Sequence, residues 1–124
     1  MAARKLYNPP EVGGIYIFTF QEHPDFVKIG LTRGICNRLM NHRSSTPYNI
    51  DLLLALPIIP YVKSEAEELE RTLHHRFTKD WHRSEWFTYS SAIDEYINSQ
   101  GFDPYVIDAD FKPSELNTLL LSKR

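Results

Sequence analysis

The chain of 124 residues lacks several features by which a class of protein is usually identified. It contains a single cysteine, Cys36, so an internal disulfide bond is excluded and a reducing compartment is favoured. It has no apolar run long enough to span a membrane and no leader-like segment at its start. We therefore expect a protein without a membrane partner, in the cytoplasm of a bacterial or phage-infected cell or in the nucleus of a eukaryote.

Motifs of the common nucleotide and metal sites are also missing. There is no phosphate-binding loop, no glycine-rich dinucleotide fingerprint, no HExxH motif and no GxSxG motif. The three residues His74, His75 and His82, with Cys36, do not show the paired spacing that a structural zinc site needs. Nucleotide hydrolases, dinucleotide enzymes, metalloproteases and zinc proteins are therefore left without support.

The charge of the chain is nearly balanced, with a formal net charge of -2. This argues against a general nucleic-acid coat, because phosphate binding draws on clustered Lys and Arg. The distribution is more informative than the sum, since two segments are basic and the C-terminal part is acidic. The basic residues are Lys28, Arg33, Arg38 and Arg43, then Arg71, Arg76, Lys79 and Arg83, and the acidic ones are Asp94, Glu95, Asp103, Asp108, Asp110 and Glu115. We interpret the acidic tail as masking two basic segments.

The predicted elements follow the order strand, strand, helix, strand, helix. Two runs of β-branched and aromatic residues predict an antiparallel hairpin within residues 16–32, in which Gly30 leaves room for the close approach of another group. A helix is predicted to begin at the cap residue Thr32 and to run through Arg43. A third, largely buried strand is predicted to end near Pro57. The length indicates a single domain.

The clearest predicted helix covers residues 64–77 and carries a carboxylate on its apolar side. Ser64 and Glu67 have the spacing of a capping box, in which each side chain satisfies a backbone donor of the other. The apolar stripe of this helix consists of Ala66, Leu69, Leu73 and Phe77. Glu70 lies within that stripe, where an unpaired carboxylate is costly. Either Glu70 reaches water or an arginine from the helix edge, or it is a metal ligand or the partner of an active-site cation.

After this helix the pattern is shorter and more mixed. Residues 86–87 predict a short strand or lid, and residues 81–82 predict a loop. A further helix is predicted from Ser91 as cap residue to a closing Gly101.

The C-terminal part is predicted to be distinct from the rest. We divide the chain into an irregular segment over residues 1–12, a domain over residues 13–101 and an acidic extension over residues 102–124. The extension ends in a short amphipathic helix near residues 116–121, which either packs on the domain or docks a partner or a second copy.

Five short elements occur in a defined order along the chain. They are Gly14-Ile15-Tyr16, Lys28-Ile29-Gly30, Arg38 ten residues after Lys28, the pattern Glu-x-x-Leu-His-x-x-Phe from Glu70 to Phe77, and Glu85-Trp86-Phe87. This order and spacing resembles the GIY-YIG nuclease superfamily. The closest resemblance is to its phage-type branch, often described as a DNA-binding domain, in which KIG replaces YIG. The resemblance covers about residues 13–89.

The resemblance implies a GIY-YIG-like α+β fold, an α/β sandwich in which a small three-stranded antiparallel sheet is flanked by helices. It implies a DNA endonuclease or nickase that hydrolyses phosphodiester bonds with one divalent metal, Mg or Mn. On the matching positions, Glu70 would hold the metal, Tyr16 would orient or deprotonate the attacking water, and Arg38 would stabilise the charged phosphorane. His42, four residues after the arginine, is a second candidate general base, because histidine titrates closer to neutral pH than tyrosine.

Other basic side chains would contact the DNA backbone without reading its sequence. The predicted contact residues are Lys28, Arg33, Arg43, His74 and Arg76. An alternative function is a catalytically weak or inactive module of the same fold that binds nucleic acid or a protein, because Lys28 stands where the family's second tyrosine is expected. A third is a regulatory protein that forms a homodimer or binds a protein partner through residues 102–124.

Overall fold

The sheet is built outward from the most apolar run of the chain. In the computed structural model, which describes residues 11–122, this run is the strand β1 (Gly14–Phe20), buried along almost its whole length. Its residues are apolar on both alternating faces, as expected of a strand covered on two sides. It pairs antiparallel with β2 (His23–Thr32) and with β3 (Ile50–Pro57).

Three further strands extend this centre on both sides. They are β4 (Trp81–Arg83), β5 (Trp86–Thr88) and β6 (Tyr105–Ile107). The order across the sheet is β4-β5-β2-β1-β3-β6, and every pairing is antiparallel. The predicted α+β class is thus confirmed, but the predicted strand number is wrong: within residues 11–122 the sheet has six strands rather than three. The three added strands have three residues each, too few for a hydrophobic period to show.

Helices complete the fold. They are α1 (Ile35–Ser44), α2 (Lys63–Arg76), α3 (Ser91–Ser99) and α4 (Pro113–Leu121), and a 3-10 turn covers Thr78–Asp80. Helix α2 packs against β1 and β2, whereas α1 packs against β1 and β6. No helix in the described part of the chain is long and apolar enough to cross a membrane.

The helix starts differ from the predicted caps. Helix α1 begins after Gly34, because Thr32 Oγ1 accepts a hydrogen bond from the Gly34 N–H at 3.1 Å and closes a turn ahead of the helix. Helix α2 begins at Lys63 with no side-chain cap, so the predicted capping box at its start is absent. In α3 the cap is Ser90, whose Oγ accepts from the backbone N–H of Ile93 at 3.3 Å. The predicted cap residues therefore lie one or two positions from the observed ones.

The C-terminal helix faces the core. Leu116 and Leu120 of α4 are fully buried, and the helix packs against α1 and β3. The Cys36 thiol of α1 lies 3.1 Å from Oδ1 of Asn117. The apolar side of this helix therefore packs on the domain, which is one of the two alternatives left open by the sequence.

Candidate active site

The candidate site lies at the pairing of β1 with β2, around Tyr16 and Gly30. Tyr16 and Gly30 are opposite each other in the antiparallel register. A Cβ atom on residue 30 would lie 2.6 Å from the Tyr16 hydroxyl and 2.9 Å from Oε1 of Glu85. The missing side chain of Gly30 therefore lets a tyrosine hydroxyl and a carboxylate approach one point of the backbone.

The Tyr16 hydroxyl belongs to a side chain that is almost entirely buried, with 1% of its surface exposed. Burial raises the pKa of Tyr16 well above its ordinary value, and the charge of Glu85 adds to this effect. The Arg38 guanidinium acts in the opposite direction. At neutral pH this hydroxyl is therefore protonated and is suited to donate a hydrogen bond.

Two carboxyl groups converge beside this hydroxyl. Glu70 comes from the middle of α2, and Glu85 from the turn between β4 and β5. Atom Oε2 of Glu70 is buried and has no hydrogen-bond partner among residues 11–122. The pKa of Glu70 is raised first by burial and then by the charge of Glu85, and a side-chain hydrogen bond with Glu85 adds to the rise, while His74 and the backbone N–H of Leu31 act against it. The site thus holds one carboxylate oxygen that is desolvated and unsatisfied.

Lys28 links three parts of the site. Its Nζ lies 3.8 Å from Oε1 of Glu85 and 3.5 Å from Nε2 of His42. The same ammonium lies 5.8 Å from the ring centroid of Trp86, within range of a cation–π contact. Burial lowers the pKa of Lys28, Glu85 opposes this, and Arg38 reinforces it.

His42 and Arg38 reach the site from adjacent turns of α1. The His42 ring lies 6.5 Å from the ring of Tyr16 and 5.0 Å from that of Phe18. Burial and the charges of Lys28 and Arg38 lower the pKa of His42 to about 4. Arg38 is exposed, and it makes no ion pair with any described carboxylate. Its guanidinium is therefore free to bind an anion.

The other predicted DNA contacts are spread more widely. Arg33 is exposed and lines a cleft of about 400 Å³ together with Arg38. Arg43 instead donates from Nη1 to the backbone carbonyl of Asp108. Arg33 thus shares a cleft with Arg38, just before the start of α1.

Two further predicted contacts lie on α2 and already have neighbours. His74 Nε2 is 2.8 Å from the carbonyl oxygen of Ile29, so this histidine ties α2 to β2. The Arg76 guanidinium lies 4.8 Å from the ring centroid of Tyr96. The structure therefore brings Tyr16, Lys28, Arg38, His42 and Glu70 together, with His74 near Glu70, and leaves Arg43 and Arg76 outside this group.

Glu85 is the site residue that sequence reasoning did not select. In the sequence it stands out only as part of the run Glu85-Trp86-Phe87. It follows Ser84, whose φ of 50° marks a tight turn, and nothing in its spacing shows that the turn folds over Gly30. The register of β2 with β5, in which Lys28 pairs with Trp86, is what places it there.

The carboxylates suit a hard divalent cation that keeps most of its water. Within residues 11–122 no cluster of three or more His, Cys, Asp or Glu side chains is arranged to hold a metal ion. Mg²⁺ is commonly held by one or two carboxylates together with substrate phosphates, rather than by a complete protein cage. The unsatisfied oxygen of Glu70, with Glu85 beside it, fits that mode of binding.

Comparison with models of known protein families gives a match over most of the chain. The model of the T5orf172 domain matches residues 13–99. The chain belongs to the T5orf172 domain family. The T5orf172 domain is a DNA-associated domain found in phage and bacterial proteins. No curated protein and no solved structure matches the chain.

This match corrects the family named from the sequence. The assignment to the GIY-YIG superfamily was wrong, because the family whose model matches is the T5orf172 domain. Short elements such as Gly14-Ile15-Tyr16 are not specific enough to distinguish families. The association with DNA is common to the expectation and to the T5orf172 domain.

Proposed function

We propose that this T5orf172 domain is an endonuclease or nickase that hydrolyses phosphodiester bonds of DNA with one divalent metal ion, Mg or Mn. The observation that carries the proposal is the buried, unsatisfied Oε2 of Glu70 next to Glu85. Leaving a buried acceptor unpaired costs about 1–3 kcal/mol, and more when the group is charged. Perturbed carboxylates of this kind are concentrated at functional sites.

Glu70 is the residue that would hold the metal ion, and Glu85 is placed to assist it. When bound, such an ion polarises a phosphate oxygen and makes water a better nucleophile at neutral pH. It would also give the unsatisfied oxygen of Glu70 a partner. The carboxyl pair would therefore have a ligand in the metal-bound state that it lacks in the free chain.

Arg38 and Lys28 would bind the scissile phosphate. The exposed guanidinium of Arg38 presents paired donors that match two phosphate oxygens. The Lys28 ammonium supplies a second positive charge, which stabilises the negative charge on the non-bridging phosphate oxygens during attack. Arg33, on the same cleft as Arg38, would contact a neighbouring phosphate, and Arg43, His74 and Arg76 would serve as outer contacts.

We assign proton abstraction to His42 and a hydrogen-bonding role to Tyr16. His42 is neutral at pH 7, because its pKa is about 4. A phosphate held by Lys28 and Arg38 would offset the two charges that depress this pKa, and it would draw Lys28 away from Nε2. The freed imidazole could then accept a proton from the attacking water. Tyr16, which burial keeps protonated, would donate a hydrogen bond to that water or to the phosphate.

The test is cleavage of supercoiled plasmid by the purified protein with Mn, Mg or EDTA. The variant Glu70→Gln removes the charge with little change in volume. The matched control is Glu67→Gln, on the exposed side of the same helix. We expect metal-dependent nicking or linearisation by the wild type and by the control, and loss of at least about a hundredfold in Glu70→Gln, the scale of removing about 3 kcal/mol of transition-state stabilisation. Undiminished cleavage by Glu70→Gln would refute the proposal.

A second candidate is a module that binds DNA without cutting it. It is favoured by the burial of Tyr16, of whose side chain only 1% is exposed. Salt-sensitive binding of DNA with no cleavage in either metal would select it. A homodimer or protein partner using residues 102–124 would meet the exposed side of α4 or the edge strand β6, because Leu116 and Leu120 are buried in the core.

A further inference from the structure

An aromatic pocket of about 310 Å³ opens beside the candidate site. Aromatic rings and basic side chains from both central strands, from β4 and β5 and from the loop before β3 line it. The lining residues are Phe20, His23, Phe26, Tyr48, His82, Arg83 and Trp86. The site chemistry described above uses none of these side chains as a reacting group.

The rings form a connected but tilted set. The ring centroids of Phe20 lie 5.8 Å from those of Trp86 and 5.4 Å from those of Tyr48. Phe26 is 36% exposed and lies 4.9 Å from the ring of His82. The pocket surface is almost entirely apolar, and exposed aromatic groups gathered in this way commonly mark a binding site.

The pocket lies next to Lys28 of the candidate site. Trp86 lines the pocket, and the Lys28 ammonium lies 5.8 Å from its ring centroid. Phe26 and Lys28 are two residues apart on β2, so their side chains project from the same face of the sheet. A ligand that spans both places therefore needs an anionic part joined to a flat apolar part.

We propose that the pocket receives an unpaired nucleobase of DNA whose phosphate lies at Lys28 and Arg38, so that the domain selects single-stranded or locally unpaired DNA over perfect duplex. This deepens the proposed function and rests on it. A nucleotide has the required combination of phosphate and flat ring, and bases stack readily on aromatic side chains. Enzymes that act on DNA can extrude a base into such a pocket, which is easiest where the base is already unpaired.

Charge supports a nucleic acid as the occupant. The lining includes Arg83 and His82, and no described carboxylate lines the pocket. An apolar peptide carries no negative charge to pair with the adjacent cations of Lys28 and Arg38, whereas the phosphates of a DNA strand would pair with both. The DNA association of the T5orf172 domain agrees with this choice.

The test is equilibrium binding in EDTA, where a metal-dependent enzyme cannot cleave. Fluorescence anisotropy would compare a perfect duplex, the same duplex with one extrahelical base, and a single strand of equal length. We expect the unpaired forms to bind about tenfold tighter than the duplex. Phe26→Ala and Tyr48→Ala should each remove that preference, with a loss of about tenfold for unpaired DNA, which lies within the range expected for one stacking contact.

The control variant is Val106→Ala, which changes an exposed apolar residue on the opposite edge of the sheet and should bind like the wild type. A second measurement needs no variant: an extrahelical 2-aminopurine should be quenched when the wild-type protein binds, because it stacks on a ring. Equal affinity for all three DNAs, or unchanged 2-aminopurine emission on binding, would overturn the inference. If Glu70-dependent plasmid cleavage persists in that case, the nuclease proposal stands and only the base pocket fails.

Discussion

The ammonium group of Lys28 lies 3.5 Å from Nε2 of His42. An ammonium can only donate, so Nε2 of His42 is the acceptor and the neutral ring carries its proton on Nδ1. Lys28 thereby sets the tautomer of the proposed base and, together with burial and Arg38, keeps its ring uncharged. A phosphate that binds Lys28 would remove its effect on both the tautomer and the pKa of His42.

The titration of His42 should show this arrangement directly. In the free protein we expect the His42 pKa to be about 4, with the proton on Nδ1, as measured by ¹⁵N NMR of the imidazole. Lys28→Met should raise this pKa by removing a repulsive charge, while burial keeps it below the ordinary 6.5. An ordinary titration that is identical in the two proteins would show that Lys28 does not act on the ring.

The low pKa of His42 should also make the free energy of unfolding depend on pH. The unfolded chain protonates His42 near 6.5, whereas the folded protein does so only near 4. Protons therefore bind the unfolded state preferentially between these values, and the free energy of unfolding falls as the pH falls from about 6.5 to about 4. His42→Gln should flatten this part of the curve, measured as urea midpoints at pH 7.5, 5.5 and 4.5. Parallel curves for wild type and variant would contradict the expectation.

Glu70→Gln should stabilise the free protein while removing the proposed activity. The buried oxygen of Glu70 has no partner in the described chain, and the raised pKa means that ionised Glu70 opposes folding as the pH rises above 4.5. We expect a gain of about 1 kcal/mol in the free energy of unfolding at pH 7.5, seen by urea titration, and little gain at pH 4.

The exposed Glu67→Gln is the matched control and should leave the urea midpoint unchanged. Addition of Mn should raise the melting temperature of the wild type but not of Glu70→Gln, because ligands that bind the folded state stabilise it. A loss of stability in Glu70→Gln at pH 7.5 would instead indicate that the carboxylate has a structural partner.

Gly30→Ala should damage the site more than the fold. Its Cβ would lie 2.6 Å from the Tyr16 hydroxyl and 2.9 Å from Glu85 Oε1, so both groups must move. We expect a loss of about 1–3 kcal/mol in stability and a loss of plasmid cleavage beyond what unfolding explains. Gly101→Ala is the comparison, because its φ of +67° strains an alanine while no atom lies within 4 Å of the new Cβ. It should lose about 1 kcal/mol and keep its cleavage rate.

Leu120→Ala should destabilise the whole domain. The side chain is fully buried in the shared core, and removing a buried leucine costs about 2–5 kcal/mol. Thr118→Ala, on the exposed side of the same helix, should change the urea midpoint little. Equal midpoints for the two variants would mean that α4 is only loosely attached and available to a partner.

Long elements with a clear period were predictable from the sequence, and short ones were not. Strands β1 and β2 and helix α2 extend for seven or more residues each, enough for alternation or a helical stripe to appear. Strand β4, predicted as a loop, has only three residues, and all of them are exposed. It forms because its backbone pairs with β5, and the three residues of β4 do not by themselves indicate that pairing.

The candidate site was predictable in part for a similar reason. Glu70 was found because a carboxylate within an apolar stripe is anomalous on a helix. Glu85 was missed because a carboxylate in a turn is ordinary, and only the pairing of β2 with β5 shows that it lies over Gly30. The aromatic pocket was missed because its walls, such as Phe20 and Tyr48, come from distant parts of the chain.

The attachment of α4 to α1 bears on where the chain can be shortened. The family match ends at residue 99, yet residues after it support helix α1, which carries Arg38 and His42. The Asn117 side chain contacts the Cys36 thiol, and the Asp108 carbonyl accepts a hydrogen bond from Arg43. A protein truncated after residue 99 would lose β6 and both buried leucines of α4, and α1 would lose part of its support. The length that folds as one unit therefore exceeds the length that the family shares.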